Sequence, residues 1–222
     1  MQNVSVKRTR NKLVQGFGLN DLDTPTTFKD PFTGKNRPIP VYAAWHSLLT
    51  RCYSENYQSK HPTYVGCTVH PDWLSLSKFK EWFDVNYVPG WDLDKDLITH
   101  GNKVYGPEFC RYVPPYLNLL ITENSAVRGE QPLGVWMTRF NTFSANCRNG
   151  GAKKFLGTFP TPMLAHRAWQ VAKADAVDDA LRRYMAEATP HLAIIRALIR
   201  YADSLRADVI EGRESIGFAS LG

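Results

Sequence analysis

The chain predicts an α+β fold in which helix-like and strand-like segments stay apart along the sequence. Two observations carry that expectation. Apolar residues recur at helical spacing over residues 41–53, 77–87, 161–176 and beyond 190, whereas Trp91–Ile98 and Leu133–Phe159 alternate apolar and polar residues with a period of two. Turn clusters at Asp30-Pro31-Phe32-Thr33-Gly34-Lys35, Gly106-Pro107 and Asn149-Gly150-Gly151 separate these segments. The expected architecture is an N-terminal helical region leading into a strand–loop–strand–helix module, then a three-stranded antiparallel sheet packed on one helix, and a last helix.

Residues 1–40, rich in Asn, Thr, Pro and Gly with little periodicity, read as a partly ordered arm whose basic run Lys7 to Lys12 either touches phosphate or stays solvated. From Val41, the residues Tyr42, Trp45, Leu48, Leu49 and Cys52 mark a helix with one apolar face, with His46 beside it as a structural histidine. Tyr57 to Thr68, with Pro62 and Gly66, reads as an irregular connection, and Ser77 to Tyr87 as a second helix with Phe79, Trp82 and Phe83 inward. Trp45, Trp73, Trp82 and Trp91 suit a dense aromatic core better than a cofactor box.

Trp91 to Ile98 suits a strand sending Asp94 and Asp96 to one face, and carboxylates gathered there invite a hard cation. Thr99 to Asn102 is turn chemistry, Arg111-Tyr112-Val113 returns as a strand, and Tyr116 to Asn124 begins a helix with Pro115 in its first turn and Asn118 near its start.

The second half opens on a meander. Leu133-Gly-Val135-Trp-Met137 is followed by Phe143 to Arg148 and then Lys154 to Phe159, with Phe143, Ala145 and Cys147 on one side and Ser144, Asn146 and Arg148 on the other. Thr161 caps a helix with Pro162 in its first turn, and its stripe of Ala165, Trp169, Ala172 and Ala176 suits packing on a sheet. One helix covers one face, which leaves the other for a ligand. After Pro190, Leu192, Ile195, Ile199, Ala202, Leu205 and Val209 predict a last helix that packs back on the body or forms a homodimer seam, and Gly212 to Gly222 reads as a loose tail.

Composition narrows the function classes. The 222 residues are 43% hydrophobic and 22% charged, ordinary for a folded domain pair, with a net charge of +6 that favours an anionic partner. The excess concentrates between Arg128 and Phe159, where Arg128, Arg139, Arg148, Lys153 and Lys154 face a single acid, Glu130. No apolar run approaches the roughly 18 residues needed to span a bilayer, and the N-terminus carries no secretory pattern, so a cytoplasmic protein without membrane contact is expected. Cys52, Cys67, Cys110 and Cys147 are widely spaced, which disfavours a disulfide framework; Cys67 and His70 could join Cys52 and Cys110 around a structural zinc, and buried free thiols are the plainer reading.

Two family resemblances sharpen this. Asp94-Lys95-Asp96, Gly101-Asn102-Lys103-Val104-Tyr105, Cys110 and Val113-Pro114, preceded by Tyr42-x-x-Trp45, Arg51-Cys52-Tyr53, Pro62-Thr63-Tyr64 and Trp73-Leu74, resemble the HNH, or His-Me finger, homing endonucleases of phages over residues 41 to 125. The resemblance implies a ββα-metal module in which Asp94 and Asn118 hold Mg²⁺ or Mn²⁺, Asp96 assists, and Asn102 braces the general base. Lys95 stands where that family has its catalytic His, and an ordinary lysine is protonated at pH 7 and cannot take a proton from water. His100 is the nearest alternative base, in the loop; Asp-Lys-Asp also suits a subfamily feature.

Leu133-Gly134-Val135, Phe143-x-Ala145, and Phe155-Leu156-Gly157-Thr158-Phe159 followed by Thr161-Pro162-x-x-Ala165-x-x-Ala168-Trp169 look like the ethylene-response-factor DNA-binding domain, which also follows nuclease modules in phage homing endonucleases. This implies a sheet in the major groove of double-stranded DNA, with Arg139, Asn141, Asn146, Arg148, Lys153 and Lys154 as candidate contacts. Together they imply a metal-dependent endonuclease acting in the cytoplasm of a bacterial host, or an inactive derivative that binds DNA by occupancy.

Overall fold

The computed structural model describes residues 13–99, 101–121, 130–149 and 151–218. Along the chain the elements run β1 (Thr27–Lys29), β2 (Asn36–Pro38), α1 (Pro40–Tyr53), α2 (Glu55–Lys60), β3 (Thr68–Val69), α3 (Leu76–Asn86), β4 (Asp92–Asp94), β5 (Val104–Tyr105), β6 (Arg111–Val113), α4 (Pro115–Ile121), β7 (Val135–Met137), β8 (Phe143–Asn149), β9 (Ala152–Phe159), α5 (Pro162–Met185) and α6 (Leu192–Glu211). Mixed α and β content with a three-stranded antiparallel sheet and a C-terminal helix is as expected. The chain divides into two units, one holding the residues up to Pro89 with Asn102–Tyr112, the other Gly90–Gly101 with everything from Val113 on.

In the first unit Pro40 starts α1 with its preset φ, and Val41, Trp45, Leu48, Leu49 and Cys52 line the buried face. The Trp45 indole donates to the carbonyl of Trp73 at 2.7 Å, which keeps its only polar atom satisfied inside the core. Residues 13–40 are more ordered than their composition predicts. Gly18 lies so close to Trp45 and Leu49 that a Cβ there would stand 2.3 Å from the Leu49 side chain, and Leu19 exchanges backbone bonds with Leu74 and Leu76 at 2.8 and 3.0 Å. Asp30 closes the β1–β2 turn by accepting from the backbone N–H groups of Phe32 and Thr33 at 2.9 and 3.0 Å. The Lys7 to Lys12 run lies outside the described residues.

The connection after α1 also differs from the irregular stretch expected. Ser54 accepts from the N–H of Tyr57 and so starts α2, a short helix that the Pro62 and Gly66 signals obscured. Ser75 likewise caps α3, with Asp21 accepting from Ser75 Oγ, Ser77 N and Ser77 Oγ at 2.6–2.8 Å. Burial works to raise the Asp21 carboxyl, but these hydrogen bonds outweigh it and hold it below its ordinary value. β3 pairs in parallel with β5, a non-local contact that no sequence period announces.

In the second unit α5 and α6 pack along one another around Trp169, Val177, Ile194, Leu198, Tyr201, Leu205 and Phe218. The last helix thus packs back on the body, but with a seam different from the one expected. Ile194, Ala197, Leu198, Tyr201, Ala202 and Leu205 are buried, whereas Leu192 and Ile199 are exposed. Ala202 and Leu205 lie on the expected stripe and Ile195 packs partly buried against the core, while Ile194, Leu198 and Tyr201 extend the seam to residues that the stripe left out. The tail is not loose either: Ser215 donates its N–H to His166 Nε2 at 2.9 Å and its hydroxyl to Asp208 at 2.7 Å, and Phe218 packs edge-on to Tyr201.

β7, β8 and β9 form an antiparallel sheet with a bulge at Leu156, where Ala145 faces Gly157 and Asn146 faces Phe155. α5 covers one face through Ala165 and Trp169, capped at its start by Thr161 with Pro162 following. Gly134 permits this approach: its φ is +76°, and an added Cβ would lie 1.9 Å from the Trp169 ring.

Candidate functional site

The sheet face away from α5 is the first concentration of chemistry. Directly opposed residues in an antiparallel ladder share a face. Val135, Ala145 and Cys147 are buried on the helix side, which turns Trp136, Ser144, Asn146 and Arg148 outward together with their partners Thr158, Phe155 and Lys153 on β9. Ser144 and Thr158 bond each other through their hydroxyls at 3.2 Å. Lys153 Nζ sits 5.0 Å above the Trp136 ring, and in the amide orientation that satisfies both neighbours, Asn146 accepts from Lys153 Nζ at 3.0 Å and donates to the Ala145 carbonyl.

Asn146 and Arg148 therefore share a face, as the alternation predicted, and Lys153, to which the alternation assigned no face, joins them. Lys154 does not join them. It opposes Cys147, a buried residue on the helix side, so it stands on the other face. Arg139 and Asn141 lie in the β7–β8 hairpin: the Arg139 guanidinium covers the Phe140 ring at 4.6 Å, and Asn141 takes φ +58° while donating to the Thr138 carbonyl at 3.2 Å. Asn141 serves the turn through its backbone, since Asn tolerates the left-handed region better than most residues. Sequence reasoning overlooked Trp136 at 37% exposure and Phe155 at 61%, two aromatics on the open face. Their place in the alternation, out of step with the buried residues, was the available signal.

The second concentration lies around β4, in the second unit. Asp94 does not share a face with Asp96 as the alternation predicted, because the strand ends at Asp94. Its Oδ1 accepts from the N–H groups of Asp96 and Leu97 at 2.9 and 2.7 Å, an Asx turn that bends the chain where a longer strand was expected. Burial pushes the Asp94 carboxyl above its ordinary value; the Leu97 N–H opposes this, the Asp96 charge adds to it, and the Asp96 N–H and Lys95 pull back. Lys95, only 6% exposed, bonds both carboxylate oxygens of Asp96 at 2.6 and 2.7 Å.

Asn118, in α4, donates its Nδ2 to Asp92 Oδ2 at 3.0 Å. Asp92 had not been singled out by the sequence, although it lies two residues before Asp94 and so on the same strand face. Asn102 belongs to the first unit, where it holds its own loop by accepting from Val104 N at 3.0 Å and donating to Val104 O at 2.7 Å. His100 lies outside the described residues.

Among the described residues no three His, Cys, Asp or Glu side chains converge as a metal cluster. The four cysteines are buried and outside any disulfide, and Cys52, Cys67, His70 and Cys110 do not gather as a zinc site would require. Asp94 with Asn118 offers hard oxygen donors of the kind Mg²⁺ or Mn²⁺ accepts. Mg²⁺ is commonly held by one or two protein oxygens, with water and substrate phosphate completing the shell. Among the described residues no helix is long and apolar enough to cross a membrane. No protein-family model, curated protein or solved structure matches the chain.

Proposed function

We propose that the protein is a DNA-binding endonuclease of the HNH kind, which grips duplex DNA through the open face of β7–β9 and hydrolyses phosphodiester bonds with a divalent metal. The observation that carries the reading is the gathering of Asn146, Arg148 and Lys153 on the one sheet face that α5 leaves uncovered. Arg pairs bidentately with guanine, Asn with adenine, and Lys holds phosphate, so this residue set matches what a groove-reading surface needs.

On this reading Asp94 and Asn118 would hold Mg²⁺ or Mn²⁺, and the metal would supply charge stabilisation at the phosphate and the leaving oxygen. Asp92 fixes the Asn118 amide through its nitrogen and so orients its oxygen. The Asp94 carboxylate accepts from two backbone N–H groups through Oδ1. The test has two arms. Labelled duplex should bind with an affinity that falls steeply with salt, and supercoiled plasmid should be nicked when Mg²⁺ or Mn²⁺ is added but not in EDTA.

One observation favours a second reading, DNA binding by occupancy without cleavage. Lys95 stands in the base position and is committed to Asp96, so the group that would take a proton from water in an HNH site is replaced by a paired cation. Binding without nicking under both metals would select this reading.

A further inference from the structure

The first unit holds a cation that its fold does not neutralise. Arg51 closes α1 and folds inward among tyrosines. Its Nη1 donates to the Tyr105 hydroxyl at 3.4 Å, and its guanidinium lies 5.7 Å from the Tyr64 ring centroid. Its Nε is buried and has no hydrogen-bond partner, and among the described residues no carboxylate pairs with it. The groups that act on its charge most strongly besides burial are the hydroxyl-bearing rings of Tyr105, Tyr64 and Tyr57, not carboxylates.

Buried or half-buried arginines ordinarily meet a carboxylate, because a guanidinium withdrawn from water leaves strong donors to satisfy. Here the surroundings add positive charge instead. Lys60 ends α2, and Lys103 reaches across to the Thr63 carbonyl at 2.8 Å, beside Tyr64. In residues 51–64 with 102–105, Arg51, Lys60 and Lys103 face one acid, Glu55. Tyr57, His61 and Tyr64 form an aromatic cluster at the same place, with Tyr57 and His61 rings 4.4 Å apart.

We infer that Arg51 is the centre of a phosphate-binding site on the first unit, with Lys103 and Lys60 as outlying cations and the Tyr57–His61–Tyr64 cluster as its wall, and that its ligand is a backbone phosphodiester of DNA. The inference rests on the DNA-binding reading above for the identity of the ligand, but not for the anion site itself. A planar guanidinium fork matches two phosphate oxygens, and among the described residues this half-buried one meets no carboxylate. Such a contact carries no sequence information, so it would anchor the first unit on any duplex while the sheet face reads bases.

Two measurements on the full chain test it. In the first, duplex binding is followed by fluorescence anisotropy across a salt series for wild type, Arg51→Gln and Lys153→Ala. Arg51→Gln should weaken binding several-fold and equally for unrelated sequences, and should flatten the slope of log K against log salt by about 0.9, one phosphate contact. A wild type that binds, a Lys153→Ala that weakens it and an Arg51→Gln that leaves affinity and slope unchanged would overturn the inference alone. In the second, thermal unfolding compares inorganic phosphate with chloride at matched ionic strength. Phosphate should raise the Tm of wild type by more than that of Arg51→Gln, and an equal rise in both overturns the site whether or not DNA binds. Arg51→Lys, which keeps the charge but not the fork, serves both measurements if Arg51→Gln fails to fold, with an intermediate effect expected and a wild-type response in both measurements counting against the site.

Discussion

β4 and β8 were expected to do the same thing, to present polar side chains at alternate positions on one face, and only β8 does. Over Phe143–Asn149 its backbone is paired by β9, and as far as Ala145 also by β7, so the alternation persists and Asn146 and Arg148 emerge together. β4 stops after three residues, because the Asp94 carboxylate captures the N–H groups of Asp96 and Leu97. The difference teaches that a period of two survives only while neighbouring strands claim the backbone. An Asp within the run offers the backbone a local partner and can end it.

The largest effect expected concerns catalysis at β4. On the proposed reading, Asp94→Ala should abolish metal-dependent plasmid nicking while leaving duplex affinity within about twofold, since that reading assigns the grip to the sheet. Lys95→His sharpens the same point. An imidazole with an unperturbed pKa of about 6.5 can act as base, and such catalysis is worth about 10²–10⁴-fold, so nicking should appear or increase. A wild type that already cuts well and a Lys95→His variant that cuts worse would give Lys95 an evolved role.

Next in size is packing beneath β8. Gly134→Ala drives a methyl into the Trp169 ring at a positive φ, and overpacking and strain of this kind each cost about 1–3 kcal/mol. Denaturant unfolding should show that loss, and duplex binding should fall with it. On the open face, Arg148→Ala should cost about 1–3 kcal/mol of binding and relax preference at one position of the site, as read by competition with mismatched duplexes. Lys154→Ala, on the opposite face, should change affinity by less than about 0.5 kcal/mol. Should Lys154→Ala weaken binding as much as Arg148→Ala, the open face is not the contact surface.

The smallest effect separates Asp94 from a purely structural turn residue. Its folded value is raised above 3.8, so the native state binds the extra proton, and stability is lost as pH rises from the unfolded value through the raised one. In EDTA, Asp94→Asn keeps the acceptor for Asp96 and Leu97 but removes the buried charge. The variant should therefore melt higher than wild type at pH 7, with the gap closing as pH falls toward about 4. Added Mg²⁺ should raise the Tm of wild type and leave that of Asp94→Asn unmoved.

The sheet was legible in the sequence because its signals are local. A seven-residue alternation, the Asn149 turn, and Thr161-Pro162 at the head of α5 each act within a few residues. The β4 region was legible only as a set of residue types. Which acid bends the strand and which acid holds Asn118 depend on hydrogen bonds that the order Asp92, Asp94, Asp96 does not rank. The last helix shows a similar limit: its pattern is apolar around much of the circumference, and only the surface of α5 decided that Ile194 and Leu198, rather than Leu192 and Ile199, face inward.

By itself, then, the sequence determined the elements whose cause is local: α1 and α3 from apolar spacing, the β7–β9 meander from alternation and turns, α5 from its cap, and the sheet face that carries Asn146 and Arg148. Tertiary structure alone decided the parallel pairing of β3 with β5, the burial of the 213–218 tail against His166 and Asp208, the ordering of residues 13–40 under Trp45, and the isolation of Arg51 among tyrosines. Several of these join residues far apart in the chain: Ser215 meets His166 across 49 positions and Arg51 meets Tyr105 across 54. Helix and strand periods describe a residue's near neighbours. They leave open which distant surface will satisfy a buried donor, and that is where the burial and charge of this protein were settled.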